Sequence, residues 1–332
     1  MVSIKDIARA AQVSHSTVSR ALRDSPLVNP ETRALIRKIA TEKGYTVSAV
    51  ARSLVTRRTN TLGVVVTSIA DPFVGEVVGG IEEFAHSSGY SVILATCHAD
   101  PEREQRAVRS FQERRVDGIL VTASRVGALY LPLLREMEVP IVLINNQHPG
   151  EFGYHVSIDN PAGACAVTAR LLELGHRRIA YIGDRSGLHS DSERCSGYRD
   201  TLIGAGISYD DALVAYGDGG PDGGLRAMLQ LLGQPDPPTA VFCYNDMSAY
   251  GAMRAVREHG LRVPEDVSVA GFDDLFLSSF TDPPLTTVRQ PKHEMGRDAA
   301  GILLDLLSGG NPTSIIKHGT LVPRQSTAAR RA

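Results

Sequence analysis

No apolar run in this 332-residue chain reaches the roughly 18 residues of a membrane span, and Met1-Val2-Ser3-Ile4-Lys5-Asp6 lacks the charged start and apolar core of an export signal. A membrane protein and an exported solute receptor are therefore both unexpected, and a cytoplasmic location is expected. Cysteine is scarce as well. Cys97, Cys165, Cys195 and Cys243 are dispersed without Cys-x-x-Cys spacing, which suits free thiols in a reducing compartment rather than a disulfide framework. The chain has no Gly-x-x-x-x-Gly-Lys phosphate loop, no Gly-x-Ser-x-Gly nucleophile elbow and no His-Glu-x-x-His zinc helix, and Gly204-Ala205-Gly206 lacks the third glycine of a dinucleotide fingerprint. Ten histidines show no paired spacing. Neither an enzyme, a cofactor nor a metal is expected.

What is present begins at the N-terminus. Ile4, Ile7, Ala8 and Ala11 keep helical spacing, and Val13, Val18, Ala21 and Leu22 repeat it after a tight turn, so two short helices share one small core. The second helix is left with an outward face of Ser14, His15, Ser16, Thr17, Ser19 and Arg20. Small donors and a guanidinium on a helix are the chemistry that reaches phosphates and base edges in a major groove. A plain amphipathic bundle with a polar surface is the alternative, and charge weighs against it. Residues 1–60 carry a net +7 while residues 61–332 carry −9, which concentrates attraction for a polyanion in the head.

A third helix is expected over 30–43, with Pro30 in its first turn, Glu31 at the positive end of its dipole, an apolar stripe of Leu35, Ile36, Ile39 and Ala40, and Gly44 as its stop. The segment Ser48 to Leu54 has helical composition but is far shorter than the roughly 12 to 15 residues at which an isolated helix becomes marginal. It is expected to order only against DNA, a second subunit or both, with Leu54 suited to wedging between base steps. The plainer alternative is a linker over 46–60.

About 270 residues remain, more than one comfortable core. Short apolar runs, Leu62–Val66, Ser91–Leu94, Gly118–Val121 and Pro140–Ile144, are separated by helical stretches at 75–86 and 102–113. The rhythm restarts after Asp159. Helices at 162–174, 193–204, 222–232 and 246–259 alternate with runs at 178–182, 212–214, 240–243 and 267–271. Strands apolar on both faces and alternating with helices predict an α/β core of two doubly wound parallel-sheet lobes. Ligands of such sheets sit beyond the carboxyl ends of the strands. The residues there are Asp71 and Phe73, Thr122 and Ser124, Asn145 and Asn146, Tyr244, Asn245 and Asp246, Asp273 and Asp274, and Gln290, to which Arg194 is added. Short amides, carboxylates and a forked guanidinium suit a hydroxyl-rich ligand. Asp246 and Asp274 are expected mainly to cap helices. Asp184 and Asp191 flank a loop with no assigned role.

The run Ile4-Lys5-Asp6-Ile7-Ala8, the Val13-Ser14-x-x-Thr17-Val18-Ser19-Arg20 helix, Gly44-Tyr45 and Ala49-Val50-Ala51-Arg52-Ser53-Leu54 resemble the helix-turn-helix head and hinge of the lactose-repressor (LacI/GalR) family of bacterial transcription regulators. Asn145, Arg194-x-x-Gly197-Tyr198, Asn245-Asp246, Gly271-Phe272-Asp273 and Thr286 to Gln290 resemble the effector-contacting stations of that family's periplasmic-binding-protein-like core. The resemblance implies that His15, Ser16 and Arg20 read bases, that Ser14 and Thr17 fix the DNA backbone, and that Ala51 and Leu54 belong to a minor-groove hinge. Joined to the strand-end residues it gives an expected ligand site of Asp71, Phe73, Thr122, Ser124, Asn145, Arg194, Tyr244, Asn245, Asp273 and Gln290, with most weight on Arg194, Asp273 and Asn245. Two departures stand out. Val47-Ser48 replaces the usual Pro, often followed by Asn, which weakens hinge-helix initiation, and Gly219 stands where many relatives place an aromatic ring, which enlarges the pocket or leaves stacking to Phe73 or Tyr244.

The organisation so implied is a head at 1–46, a hinge and linker at 47–60, and a bilobal core at 61–332, with one lobe at about 61–159 and 291–321 and the other at about 160–290 and 322–332. The function implied is a repressor that binds operator DNA as a homodimer and responds to a small effector, a mono- or oligosaccharide, with a purine or nucleoside as the alternative. Dimer contacts are expected on helices 74–88 and 101–115. The chain's end carries no apolar heptads to join two dimers.

Overall fold

The computed structural model describes residues 2–22, 24–45, 58–126, 139–147 and 153–330. The chain divides into two compact units, Met1–Thr59 and Asn60–Ala332. The hinge expected over 47–60, with Ala51 and Leu54, lies almost wholly outside the described residues, of which only 58–60 belong to it.

Three helices form the first unit: α1 (Ile4–Ala11), α2 (His15–Ala21) and α3 (Pro30–Glu42). Ser3 donates both its N–H and its hydroxyl to the Asp6 carboxylate, fixing the start of α1. Asn29 accepts from Thr32 N at 2.7 Å and Pro30 opens α3, while Gly44 at φ 62° ends that helix. Ile7, Val18, Ala21 and Ile36 are fully buried between the helices. Leu35 departs from the expected stripe: it is 48% exposed, because Ile36 takes the inward position and turns its neighbour outward. Both oxygens of the Asp24 carboxylate accept from Arg37 Nη2, which ties the α2–α3 turn to the third helix.

The second unit carries two parallel sheets. The first is six-stranded in the order β11-β5-β4-β3-β1-β2, built from β1 (Thr61–Val66), β2 (Ser91–Thr96), β3 (Gly118–Thr122), β4 (Ile141–Ile144), β5 (His155–Ile158) and β11 (Ile315–Lys317). The second is four-stranded in the order β7-β6-β8-β9, from β6 (Ile179–Asp184), β7 (Val214–Gly217), β8 (Ala240–Cys243) and β9 (Ser268–Ala270). A small antiparallel pair joins β10 (Thr287–Arg289) to β12 (Thr320–Val322). Central strands β1, β3, β4, β6 and β8 are buried almost end to end, as strands covered on both faces must be.

Helices cover both sheets. On the first, α4 (Pro72–Ser87) and α10 (Lys292–Leu307) share a core with β1, β3 and β4, and α5 (Pro101–Glu113) covers the opposite face. A Cβ added at Gly296 would lie within 3 Å of the Val77 carbonyl, so glycine there lets α4 and α10 cross backbone to backbone. On the second sheet, α8 (Pro221–Leu232) and α9 (Asp246–Glu258) cover one face, and α6 (Asn160–Glu173) and α7 (His189–Gly204) the other. The expected strand at 212–214 is mostly a 3-10 turn, Asp211–Leu213, started by Asp210 accepting from Ala212 N; pairing begins only at Val214.

In each sheet the strand order reverses beside a central strand, between β1 and β3 and between β6 and β8. Those switch points splay successive loops apart and open a crevice at the carboxyl ends of the strands.

Candidate functional site

Ser14 caps α2 by accepting from Thr17 N at 3.1 Å, and its hydroxyl also bonds Ser16 Oγ and Thr17 Oγ1. The cap holds the first turn of α2 in place, and from that turn His15 and Ser16 project into solvent; Arg20 is exposed near the far end. This is a short rigid helix with a donor-rich outer face, small enough for a major groove.

The crevice of the second unit encloses a cavity of about 440 Å3, within the size range of small-molecule sites. Its walls include Asp71, Phe73, Thr122, Asn145, Arg194, Tyr244, Asn245, Asp273 and Gln290, nine of the ten expected ligand residues. Asp71 caps α4 through Phe73 N, and burial raises its carboxyl above the ordinary range. Asn145 turns the chain at the end of β4 with φ 49°.

Arg194 is the most constrained group in the cavity. It is only 4% exposed, donates Nε to Asn160 Oδ1 at 2.8 Å and Nη1 to the Tyr244 carbonyl at 2.6 Å, and lies 3.8 Å from the centre of the Phe272 ring and 4.7 Å from that of Tyr244. Its Nη1 is 3.9 Å from Asp273 Oδ1, the atom to which Gln290 Nε2 donates at 2.7 Å. Burial pushes the Asp273 carboxyl up to about 8, with Arg194 opposing and Asp246 reinforcing the shift. Gln290 Oε1 is buried and has no hydrogen-bond partner. A buried acceptor without a partner, beside a carboxyl and a fixed guanidinium, is a place for ligand hydroxyls.

Residues 3–48 match the lacI family of bacterial regulatory proteins, and residues 168–327 match the periplasmic binding protein-like domain. The HTH-type transcriptional repressor CytR of Escherichia coli K12 is 38% identical over 312 residues, covering 92% of this chain and 90% of that protein. The chain belongs to the lacI family. A solved transcriptional regulator CelR–cellobiose complex is 35% identical, covering 98% of this chain and 100% of that one, with a TM-score of 0.74. The lac repressor dimer bound to operator and the anti-inducer ONPF is 28% identical, covers 99% of both chains and gives a TM-score of 0.90. As a lacI-family member the protein is a DNA-binding transcriptional regulator rather than an enzyme. Among the described residues no helix is long and apolar enough to cross a membrane.

In this lacI-family regulator three expectations need correcting, those for Ser124, Asp246 and Asp274. Ser124 does not line the cavity: its hydroxyl donates to Glu104, a buried carboxylate on α5 that needs donors. Asn245, not Asp246, caps α9 by accepting from Ser248 N, and its Nδ2 donates to the Gly219 carbonyl, so much of its side chain is committed to structure. Asp246 is fully buried and accepts from Leu275 N, Ser278 Oγ and Thr287 Oγ1, pinning the 273–279 loop to α9. Asp274 caps nothing; although burial opposes it, bonds from Arg289 and Arg324 hold its carboxyl below the usual range.

Sequence reasoning passed over Gln147 and Ser190. Gln147 Oε1 accepts from Ser190 N at 3.1 Å and from Ser190 Oγ at 2.9 Å, and Ser190 Oγ reaches Tyr244 Oη at 2.9 Å. Gln147 follows the first sheet and Ser190 lies in the first turn of α7, so this bond crosses the cleft. The only signal in the chain was the position of Gln147 two residues beyond Asn145.

Proposed function

We propose that this regulator is a repressor whose operator affinity is set by a sugar held between Asp71, Phe73, Thr122, Asn145, Arg194, Tyr244, Asn245, Asp273 and Gln290. The observation that carries the reading is the Arg194–Asp273–Gln290 group, in which a fixed fork, a carboxyl and an unmatched amide oxygen converge on one cavity. Vicinal hydroxyls, each both donor and acceptor, satisfy all three. The relative crystallised with cellobiose supports the same ligand class. A nucleoside is the second reading, favoured by the Phe73 and Tyr244 rings in the cavity wall.

On DNA, His15, Ser16 and Arg20 contact bases, Ser14 and Thr17 position the helix on the backbone, and Ala51 and Leu54 belong to the hinge. The protein acts in the cytoplasm as a homodimer. The dimer reading rests on the exposed edge strand β2, where Ile93 and Leu94 are 40% and 44% accessible, together with its neighbours α4 and α5, and on the exposed Phe276–Phe280 pair. Ligand-driven closure of the cleft changes the spacing of the two hinges, with a coupling of about 1–3 kcal/mol that operator DNA must reciprocate.

The test is a fluorescence-anisotropy titration against DNA from the gene's own upstream region at fixed salt, with and without sugars, purines and nucleosides. A shift of several-fold to more than a hundredfold by a sugar is expected. A response to nucleosides alone selects the second reading.

A further inference from the structure

Beside the cleft lies a second cavity of about 670 Å3, bounded by the 184–188 loop, the outer face of α7 and the edge strand β7. Gln147, Asp184 and Leu188 line both cavities, so the two are adjacent and share a wall. Gly219 lines the cleft cavity beside Asp184, with φ +77°, and a Cβ there would fall 2.7 Å from Asp184 Oδ2. Any larger residue at 219 would crowd the carboxylate that both cavities share.

The outer cavity has the makings of a saccharide subsite. Tyr216 is 54% exposed on β7, and its ring edge comes so near the bare backbone of Gly183 that a Cβ there would lie 2.9 Å from it. That ring is an apolar platform with a polar tip, as a pyranose face requires. Arg185 and Arg199 supply forked donors, and their partners Asp218 and Asp200 hold them only through exposed ion pairs, which are weak and readily exchanged. Asp184 and Asp191 in the wall add two carboxyls to the Asp218 and Asp200 partners, so the cavity has no positive excess to favour a phosphate or a uronate.

We infer that the effector is a neutral oligosaccharide of at least two units, its first ring in the cleft and its next ring in the outer cavity on Tyr216, passing between Leu188 and the glycine at 219. This rests on the sugar reading of the cleft. The outer subsite supplies affinity that grows with chain length, because the second ring adds contacts without a second loss of translational freedom.

The experiment is calorimetric titration of the full-length protein with matched mono-, di- and trisaccharides of β-1,4-linked glucose, β-1,4-linked xylose and α-1,4-linked glucose. For one series, affinity is expected to rise at least tenfold from one unit to two. Tyr216→Ala and the blocking change Ser192→Trp, both at exposed positions, should abolish that gain while leaving affinity for the single sugar and for operator DNA within about twofold, the scale of an exposed substitution. Length-independent binding in the parent overturns the outer subsite and leaves the sugar reading standing. A length gain that survives in both variants also overturns it, since the second ring must then lie elsewhere. No response to any saccharide removes the sugar reading itself.

Discussion

The two walls of the cleft are built from the same parts and hold their side chains differently. Both arise where a parallel sheet reverses its strand order, and both present short polar residues from the loop after a central strand. On the second sheet those residues are fixed in advance: Arg194 is gripped by an amide, a carbonyl and two rings, and Asn245 is held by its helix and by the Gly219 carbonyl. On the first sheet, Thr122 makes one long bond of 3.4 Å to the Val65 carbonyl, and Gln147 reaches across to Ser190. The second wall therefore holds Arg194 and Asn245 by more contacts of its own, and on the proposed reading it selects the ligand while the first wall closes on it.

The largest expected effect comes from removing the anchor. Arg194→Ala should lower effector affinity by about a hundredfold or more, because a buried, hydrogen-bonded charge is lost and Asn160 Oδ1 and the Tyr244 carbonyl lose their donor, at a cost of about 3 kcal/mol or more. Arg194→Lys keeps the charge but loses the fork and the stacking on Phe272, so it should recover little. Operator binding without effector should persist in both. An Arg194→Ala protein that still responds normally to its effector would break the assignment of selectivity to the second wall.

A smaller effect follows from the buried carboxyl. Asp273 keeps its proton up to about pH 8 in the empty cleft, so a ligand hydroxyl that donates to it favours the ionised form and binding releases a proton. Effector affinity should rise with pH, about tenfold between pH 6.5 and 8, and level off above that. The sign for folding is opposite: the native state holds this proton between about pH 4 and 8 while the unfolded chain does not, so stability falls as pH rises through that window. Calorimetry in two buffers of different ionisation enthalpy measures the proton released, and Asp273→Asn should release none. Proton uptake in the parent would mean that Asp273 donates to the ligand.

Much of this arrangement could be read from the chain because parallel strands announce themselves. Val64-Val65-Val66 and Ala240-Val241-Phe242-Cys243 are apolar on both faces, and the residues that follow such runs must face the crevice. What local pattern cannot decide is which of two adjacent groups does which task. Asn245 and Asp246 are equally good caps by composition, and the extended backbone at Asn245 gives it the cap and sends Asp246 into the core. Ser124 looked like a cleft hydroxyl until a glutamate from twenty residues earlier claimed it. The Gln147–Ser190 bond joins residues 43 apart, and no periodicity marks such a pair.

That cross-cleft bond gives the smallest effect and the finest test of the comparison. Without ligand, Gln147 ties the first wall to Ser190 and so favours a partly closed cleft. Gln147→Ala removes an acceptor shared by an N–H and a hydroxyl, worth about 1 kcal/mol net, and should weaken effector binding about fivefold because the ligand alone must then bring about closure. Ser190 is left with Tyr244 as a partner, so thermal stability should change little. Gln147→Glu keeps an acceptor in place and should restore most of the affinity above the carboxylate's titration range. Equal affinity in the parent and the alanine variant would mean that the first wall closes without this contact.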